Sequence, residues 1–157
     1  MKGADTGRRI EVEVEPSQLR ERLRRALEEG YDHFIGINVV DYPRAGVMEV
    51  YYFVESVQRG GELLVVKLRV PRENPALDSV SDIYPLAEYQ EIEGHEFFGL
   101  DFRGNGSLRK WILDENWEGP PPLRKDVDTR KFVLETYYGG QRYERPKQEK
   151  SLQEVVE

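Results

Sequence analysis

Residues 47–70 read VMEVYYFVESVQRGGELLVVKLRV, two runs rich in valine, tyrosine and leucine parted by a glycine pair. Such composition suits pleated, half-buried strands, and Gly60 and Gly61 supply the positive φ values that a tight connection needs. The stretch predicts a β-hairpin with strands at 47–57 and 62–70. Upstream, Pro43 and Gly46 mark a turn over 41–46, and the apolar run 34–40 predicts an inner strand. Leu19, Leu23, Ala26 and Leu27 repeat at helical spacing between Ser17, a capping residue, and Gly30, a terminator, with Glu21 and Arg25 four residues apart on the opposite face. Before this helix, Ile10, Val12 and Val14 alternate with Glu11, Glu13 and Glu15, the pattern of an exposed or edge strand.

Downstream of the hairpin, a loop over 71–75 precedes a helix over 85–97, which Gly99 ends and Pro85 opens from the first turn. Beyond Gly104 the chain is loop-rich, with a short helical turn over 108–113, a proline run at 120–122 and a strand over 132–138. Residues 141–157 are highly charged and are expected to be disordered or ordered by a partner. No internal repeat is visible. The expected architecture is α+β: a two-layer domain over residues 1–104, with helices covering one face of a small mixed sheet, and an extended loop-rich C-terminal arm over 105–157 for docking, not an independent domain.

Composition narrows the function. The 157 residues suffice for one domain, and 34% charged residues with a mean hydropathy of -0.69 describe a strongly solvated surface. No run approaches the length of a membrane span, and residues 1–9 lack the apolar core of a secretory signal. With no cysteine the chain has no thiolate for zinc, iron–sulfur ligation or nucleophilic attack. A net charge of -7, with basic and acidic residues interspersed, disfavours nucleic acid. Arginine outnumbers lysine about two to one, a ratio compatible with a thermophilic source.

The helix over 85–97 holds most of the chemistry. Leu86, Tyr89 and Phe97 form an apolar stripe into which Glu93 falls, while Glu88, Glu91 and His95 cluster elsewhere. If the stripe faces the core, Glu93 must meet a cation such as Arg103, Arg109 or Arg124, be protonated, or face a partner protein. Glu91 and His95 share the spacing of a metal-ligand pair, yet such a pair more often makes a surface hydrogen bond, and the only other histidine, His33, lies in another element. His95-Glu96 begins a zinc-protease motif whose second histidine would be residue 99, which is glycine. Gly104, Asn105 and Gly106 read as a plain turn, and no serine stands in a Gly-x-Ser-x-Gly elbow. Tyr51, Tyr52, Phe53, Tyr137 and Tyr138 could stack bases but read as sheet packing, and the basic run 20–25 as a solvated helix face. In the segment 108–128, Trp111, Trp117 and the prolines accompany Leu123, Arg124, Lys125 and Asp126, a mixture typical of interface hot spots. Both tryptophans could equally cover the domain's own sheet.

Several blocks in order carry a resemblance: VSDIYP at 80–85, EIEGHEFFGL at 91–100, FRGN at 102–105, LRK at 108–110, WEG at 117–119 and LRKD at 123–126. Together they resemble the 30-kilodalton subunit family of complex I, which includes that subunit of bacterial NADH-quinone oxidoreductase and its counterparts in membrane-bound [NiFe] hydrogenases and formate hydrogenlyases. Two departures stand out: Ile92 replaces a usual arginine, and three prolines lengthen the loop after Gly119 by one residue. His95-Glu96 and the short tail look more like the hydrogenase-type branch.

The resemblance implies a non-catalytic subunit without cofactors, on the cytoplasmic face of the membrane. It would dock on the large catalytic subunit, of 49-kilodalton or [NiFe] hydrogenase type, near iron–sulfur subunits. The partner-binding positions expected are Glu91, Glu93, His95, Glu96, Phe98, Arg103, Arg109, Trp111, Trp117, Leu123, Arg124, Lys125 and Asp126. The alternatives are the 30-kilodalton subunit of NADH-quinone oxidoreductase proper, a metal-dependent hydrolase using Glu91, His95 and Glu96, and an independent nucleic-acid-binding module.

Overall fold

The computed structural model describes residues 8–139. They fall into two units, one ending at Val127 and one beginning at Asp128. In the first, β1 (Arg9–Glu13), α1 (Leu19–Glu28), β2 (His33–Tyr42), β3 (Val47–Ser56) and β4 (Glu62–Pro71) are followed by β5 (Ala76–Asp78), α2 (Ala87–Phe98) and β6 (Asp101–Arg103). The hairpin forms as expected: β3 and β4 pair antiparallel from Val47 opposite Pro71 to Ser56 opposite Glu62, and Gly60 and Gly61 take φ of 71° and 81°. The four-stranded sheet has the order β1-β4-β3-β2, with β1 parallel to β4 and so at an edge.

Alternation along β3 and β4 sorts the residues. Met48, Val50, Tyr52 and Val54, with Leu64, Val66, Leu68 and Val70, face one core with Leu19, Leu23 and Ala26 of α1 and with Leu77 and Phe102 of the small β5–β6 sheet. This period-two pattern makes the register costly to slip, because a one-residue shift would turn all these side chains outward. On the other face Glu49 is buried beneath its neighbours. It accepts a 2.6 Å bond from the Tyr51 hydroxyl and 2.9 Å contacts from Lys67 Nζ and Arg69 Nε.

Several expectations are corrected. Strand β2 pairs only with β3 and is an edge strand, not an inner one; its apolar run reflects burial of Phe34 and Val39 in the core. Ser17 does not cap α1: residues Pro16–Gln18 form a 3-10 turn closed by reciprocal Glu15 and Gln18 bonds. Arg25 pairs with Glu29 at 2.9 Å, not with Glu21, and Leu27 is exposed. Residues 108–113 form no helical turn, because the N–H groups of residues 111–113 converge on a carboxylate. Strands β5 and β6, three residues each, went unread because they are too short to show a period.

In the second unit, the strand expected over 132–138 is instead a helix, α3 (Thr129–Tyr137). Asp128 Oδ1 accepts the Lys131 N–H at 2.9 Å, and this local cap outweighs the β preference of the aromatic and β-branched side chains. The tail over 141–157 lies outside the described residues.

The Tyr51 hydroxyl lowers the Glu49 carboxyl most, against the opposing effect of burial, and Lys67 and Arg69 help bring it to about 2. A depressed carboxylate pKa contributes stability above its ordinary value of 4.5 that is lost as pH falls towards 2. Glu49→Gln is therefore expected to lower stability at pH 7 and to flatten the acid limb between those values. Denaturant midpoints measured against pH check this, and an unchanged acid limb would contradict the assignment.

Candidate functional site

Helix α2 presents differently composed sides. Positions 87, 91, 94 and 98 share a side at helical spacing. Ala87 and Gly94 are small: a Cβ on Gly94 would come within 3.1 Å of the Phe102 ring, so the helix can lie close to β6. Glu91 is fully buried, and its carboxylate accepts the Ser79 hydroxyl at 2.6 Å, the Val80 N–H at 2.8 Å and the Asn105 amide at 2.8 Å. Burial pushes its pKa up, against the lowering effect of those three donors.

On the opposite side of α2, in one row with Tyr89, Glu96 is also buried. It accepts the backbone N–H groups of Trp111, Ile112 and Leu113 at 2.6, 2.9 and 3.2 Å. Three successive N–H groups aimed at one carboxylate form an anion-binding concavity, here filled by the chain's own side chain. It fixes the segment carrying Trp111, whose ring lies 5.3 Å from that of Tyr89.

The segment 108–127 continues along the end of α2 as a strap. The Leu123 N–H and Arg124 Nε donate to the carbonyls of Phe97 and Phe98 at 3.0 and 2.8 Å, satisfying acceptors the helix leaves open. Gly99 is required there. Its φ is 73°, and a Cβ would stand 2.9 Å from Arg124 Nη2 and 3.0 Å from Pro121. The strap is then tied to the sheet: Asp41 accepts the Lys125 N–H at 2.8 Å and Arg72 Nε at 2.7 Å, and Arg72 also bonds Asp126. Burial pushes Asp41 up, but Arg72 and the Lys125 N–H together hold it below its ordinary value.

The outward side of α2 carries the stripe seen in the sequence. Leu86 is 61% exposed and Tyr89 51%, while Glu93 and Phe97 are half-buried. The stripe does not face the core. Small residues and a fully bonded Glu91 line the inner side instead, and Glu93 lies half-buried within the stripe. Trp111, Ile112 and Leu123 extend the apolar surface onto the strap, each about half exposed. Glu88 is half-buried and accepts the Ser107 hydroxyl.

The remaining expected positions are dispersed. Arg103 pairs with Asp78 at 2.9 Å, Arg109 is exposed, Phe98 packs on the core and Trp117 is half-buried. Lys125 Nζ lies 5.2 Å from the Tyr42 ring centre. His95 Nδ1 donates to the Leu100 carbonyl at 2.7 Å. Glu91, His95 and Glu96 therefore answer to separate partners, and among the described residues no group of three or more His, Cys, Asp or Glu is placed to hold a metal ion. That geometry gives no support to the hydrolase alternative. Sequence reasoning missed Asp41, Arg72, Ser79 and Asn105. Asn105 stood within a block of the resemblance, whereas Asp41 was read only as the start of a turn.

The profile of the family described as respiratory-chain NADH dehydrogenase, 30 Kd subunit, matches residues 12–133, and the chain belongs to that family. It is 30% identical over 129 residues to a subunit of the F(420)H(2) dehydrogenase of Methanosarcina mazei, covering 80% of each chain. It is 34% identical over 109 residues to a subunit of the NADH-quinone oxidoreductase of Chlorobium phaeobacteroides, covering 69% of this chain and 63% of that one. Among solved structures it resembles a chain of the membrane-bound sulfane sulfur reductase, an archaeal respiratory membrane complex. That match has a TM-score of 0.77, 34% identity, and coverage of 92% of this chain and 86% of that one. The trypsin-resistant fragment of Nqo5, with a TM-score of 0.58, 24% identity and coverage of 66% and 85%, shares the fold. The first two relatives are subunits of a dehydrogenase and of an oxidoreductase, and the sulfane sulfur reductase is a respiratory membrane complex. No helix among the described residues is long and apolar enough to cross a membrane.

Removing Glu91 would strand three buried donors and leave a void. Glu91→Ala is expected to cost about 3 kcal/mol, whereas Glu93→Ala should stay within about 0.5 kcal/mol of the parent. Chemical denaturation of both variants checks the contrast, and equal losses would refute the inward and outward assignments.

Proposed function

We propose that the chain is a non-catalytic, cofactor-free subunit of the cytoplasmic arm of a membrane-bound, complex I-related oxidoreductase. It docks on the large catalytic subunit, near the iron–sulfur subunits, and stabilises the assembly. The observation that carries this reading is the exposed apolar surface running along α2 and onto the strap, through Leu86, Tyr89, Trp111, Ile112 and Leu123. Apolar side chains grouped this way mark an interaction site, and a tryptophan locked against a tyrosine gives contact area with little ordering cost.

Within the family we favour a membrane-bound [NiFe] hydrogenase or a related archaeal or bacterial complex over NADH-quinone oxidoreductase proper. The His95-Glu96 pair supports this branch, as does the likeness to a chain of an archaeal respiratory membrane complex, 34% identical over 92% of this chain.

The test is affinity purification of the tagged chain from native membranes under mild detergent. A large subunit of [NiFe] or quinone-reactive type should co-purify in stoichiometric amount, and recovery of no oxidoreductase subunit would overturn the reading. Trp111→Ala, which trims an exposed ring and should leave folding intact, is expected to weaken retention about tenfold.

A further inference from the structure

The carboxylates of α2 differ in one respect. Glu88 is met by Ser107, Glu91 by Ser79, Val80 and Asn105, and Glu96 by the N–H groups of residues 111–113. Glu93, half-buried, has no donor or cation among the described residues. It lies one helical turn from Tyr89 on one side and from Phe97 on the other, inside the outward apolar stripe. Tyr89 carries Trp111, and the Phe97 carbonyl holds Leu123, so exposed apolar groups continue from both ends of the stripe. A protein covering this surface must also cover Glu93. A carboxylate taken out of water without a counter-charge carries a large penalty, which a well-placed hydrogen-bonded cation offsets.

We propose that Glu93 is the charge that selects the partner: the protein covering α2 presents an apolar surface with an arginine or lysine placed against it. This rests on the docking reading above and adds the chemistry of the surface opposite. Arginine suits the site better, because its planar fork bonds a carboxylate through two N–H groups while its flat face packs on aromatic rings such as Tyr89. In the free chain Glu93 keeps the apolar stripe hydrated; in the complex it penalises any neighbour that lacks the matching cation.

The experiment uses membranes from cells lacking their own copy of this chain, supplied with tagged wild type, Glu93→Gln, Glu93→Arg, Trp111→Ala or, as a control on the solvent side of α1, Glu21→Gln. Retention on the complex is measured against KCl concentration, and far-UV circular dichroism and melting confirm that each variant folds. Glu93→Gln should weaken retention about thirtyfold or more with a shallower dependence on salt. Glu93→Arg should not assemble, and Glu21→Gln should match wild type. Wild-type retention of both Glu93 variants alongside loss of Trp111→Ala would overturn this proposal and leave docking standing. Wild-type retention of all three would overturn this proposal and the assignment of docking to the α2 surface. Self-association of the chain that Glu93→Arg abolishes, with retention unchanged, would also overturn it, by showing that a second copy supplies the cation.

Discussion

Glu91 sits in the middle of α2 with no exposed surface, and the rest of the fold is arranged so that its charge is tolerable there. Its three donors come from residues 79 and 80, just after β5, and from residue 105, just after β6. A carboxylate that cannot be hydrated has to be hydrogen-bonded, so these separate segments are drawn to one point. The helix can lie close to the small sheet only because Gly94 faces Phe102 and Ala87 adds little bulk. The electrostatic requirement and the steric one select the same orientation of α2. The orientation in turn leaves Leu86 and Tyr89 outside.

Glu96 and Asp41 repeat the principle for the strap. Neither pins it through side-chain charge alone; both accept backbone N–H groups, from residues 111–113 and from Lys125, that would otherwise lack a partner in a loop without regular structure. An irregular segment of this length is ordinarily a mobile one. Here its backbone is tied at both ends and across the terminus of α2, so the aromatic surface is formed before any partner arrives. Pre-organisation of that kind reduces the ordering cost of association and suits a subunit whose proposed contribution is placement.

The family membership and the geometry agree on where the chemistry of the chain is concentrated. The blocks of sequence that carry the resemblance hold Glu91 with its donors Val80 and Asn105, the Glu96 carboxylate and the Arg124 contact, while residues 111–113 around Glu96 fall between two blocks. The buried polar groups of these blocks, Glu91, Glu96 and Asn105, are satisfied within the chain, whereas Arg103, Arg109, Glu118, Lys125 and Asp126 are exposed. The site is constructed as a surface, with its polar groups spent on holding that surface in shape.

Local sequence determined much of this protein. The hairpin, α1, α2, the edge position of β1 and the αL terminator at Gly99 follow from period, composition and glycine placement, which act over a few residues. The ordered blocks from Val80 to Asp126 also identified the family. Tertiary structure decided which side of α2 is inner, because a hydrophobic stripe marks a face but cannot say whether the core or a partner covers it. The reading of 132–138 failed for a related reason: aromatic and β-branched residues suit either element, and the Asp128 cap settled the choice. The role of Asp41 could not be read at all, since the N–H it accepts lies 84 residues away in sequence, and nothing local marks a contact made only when the chain has folded.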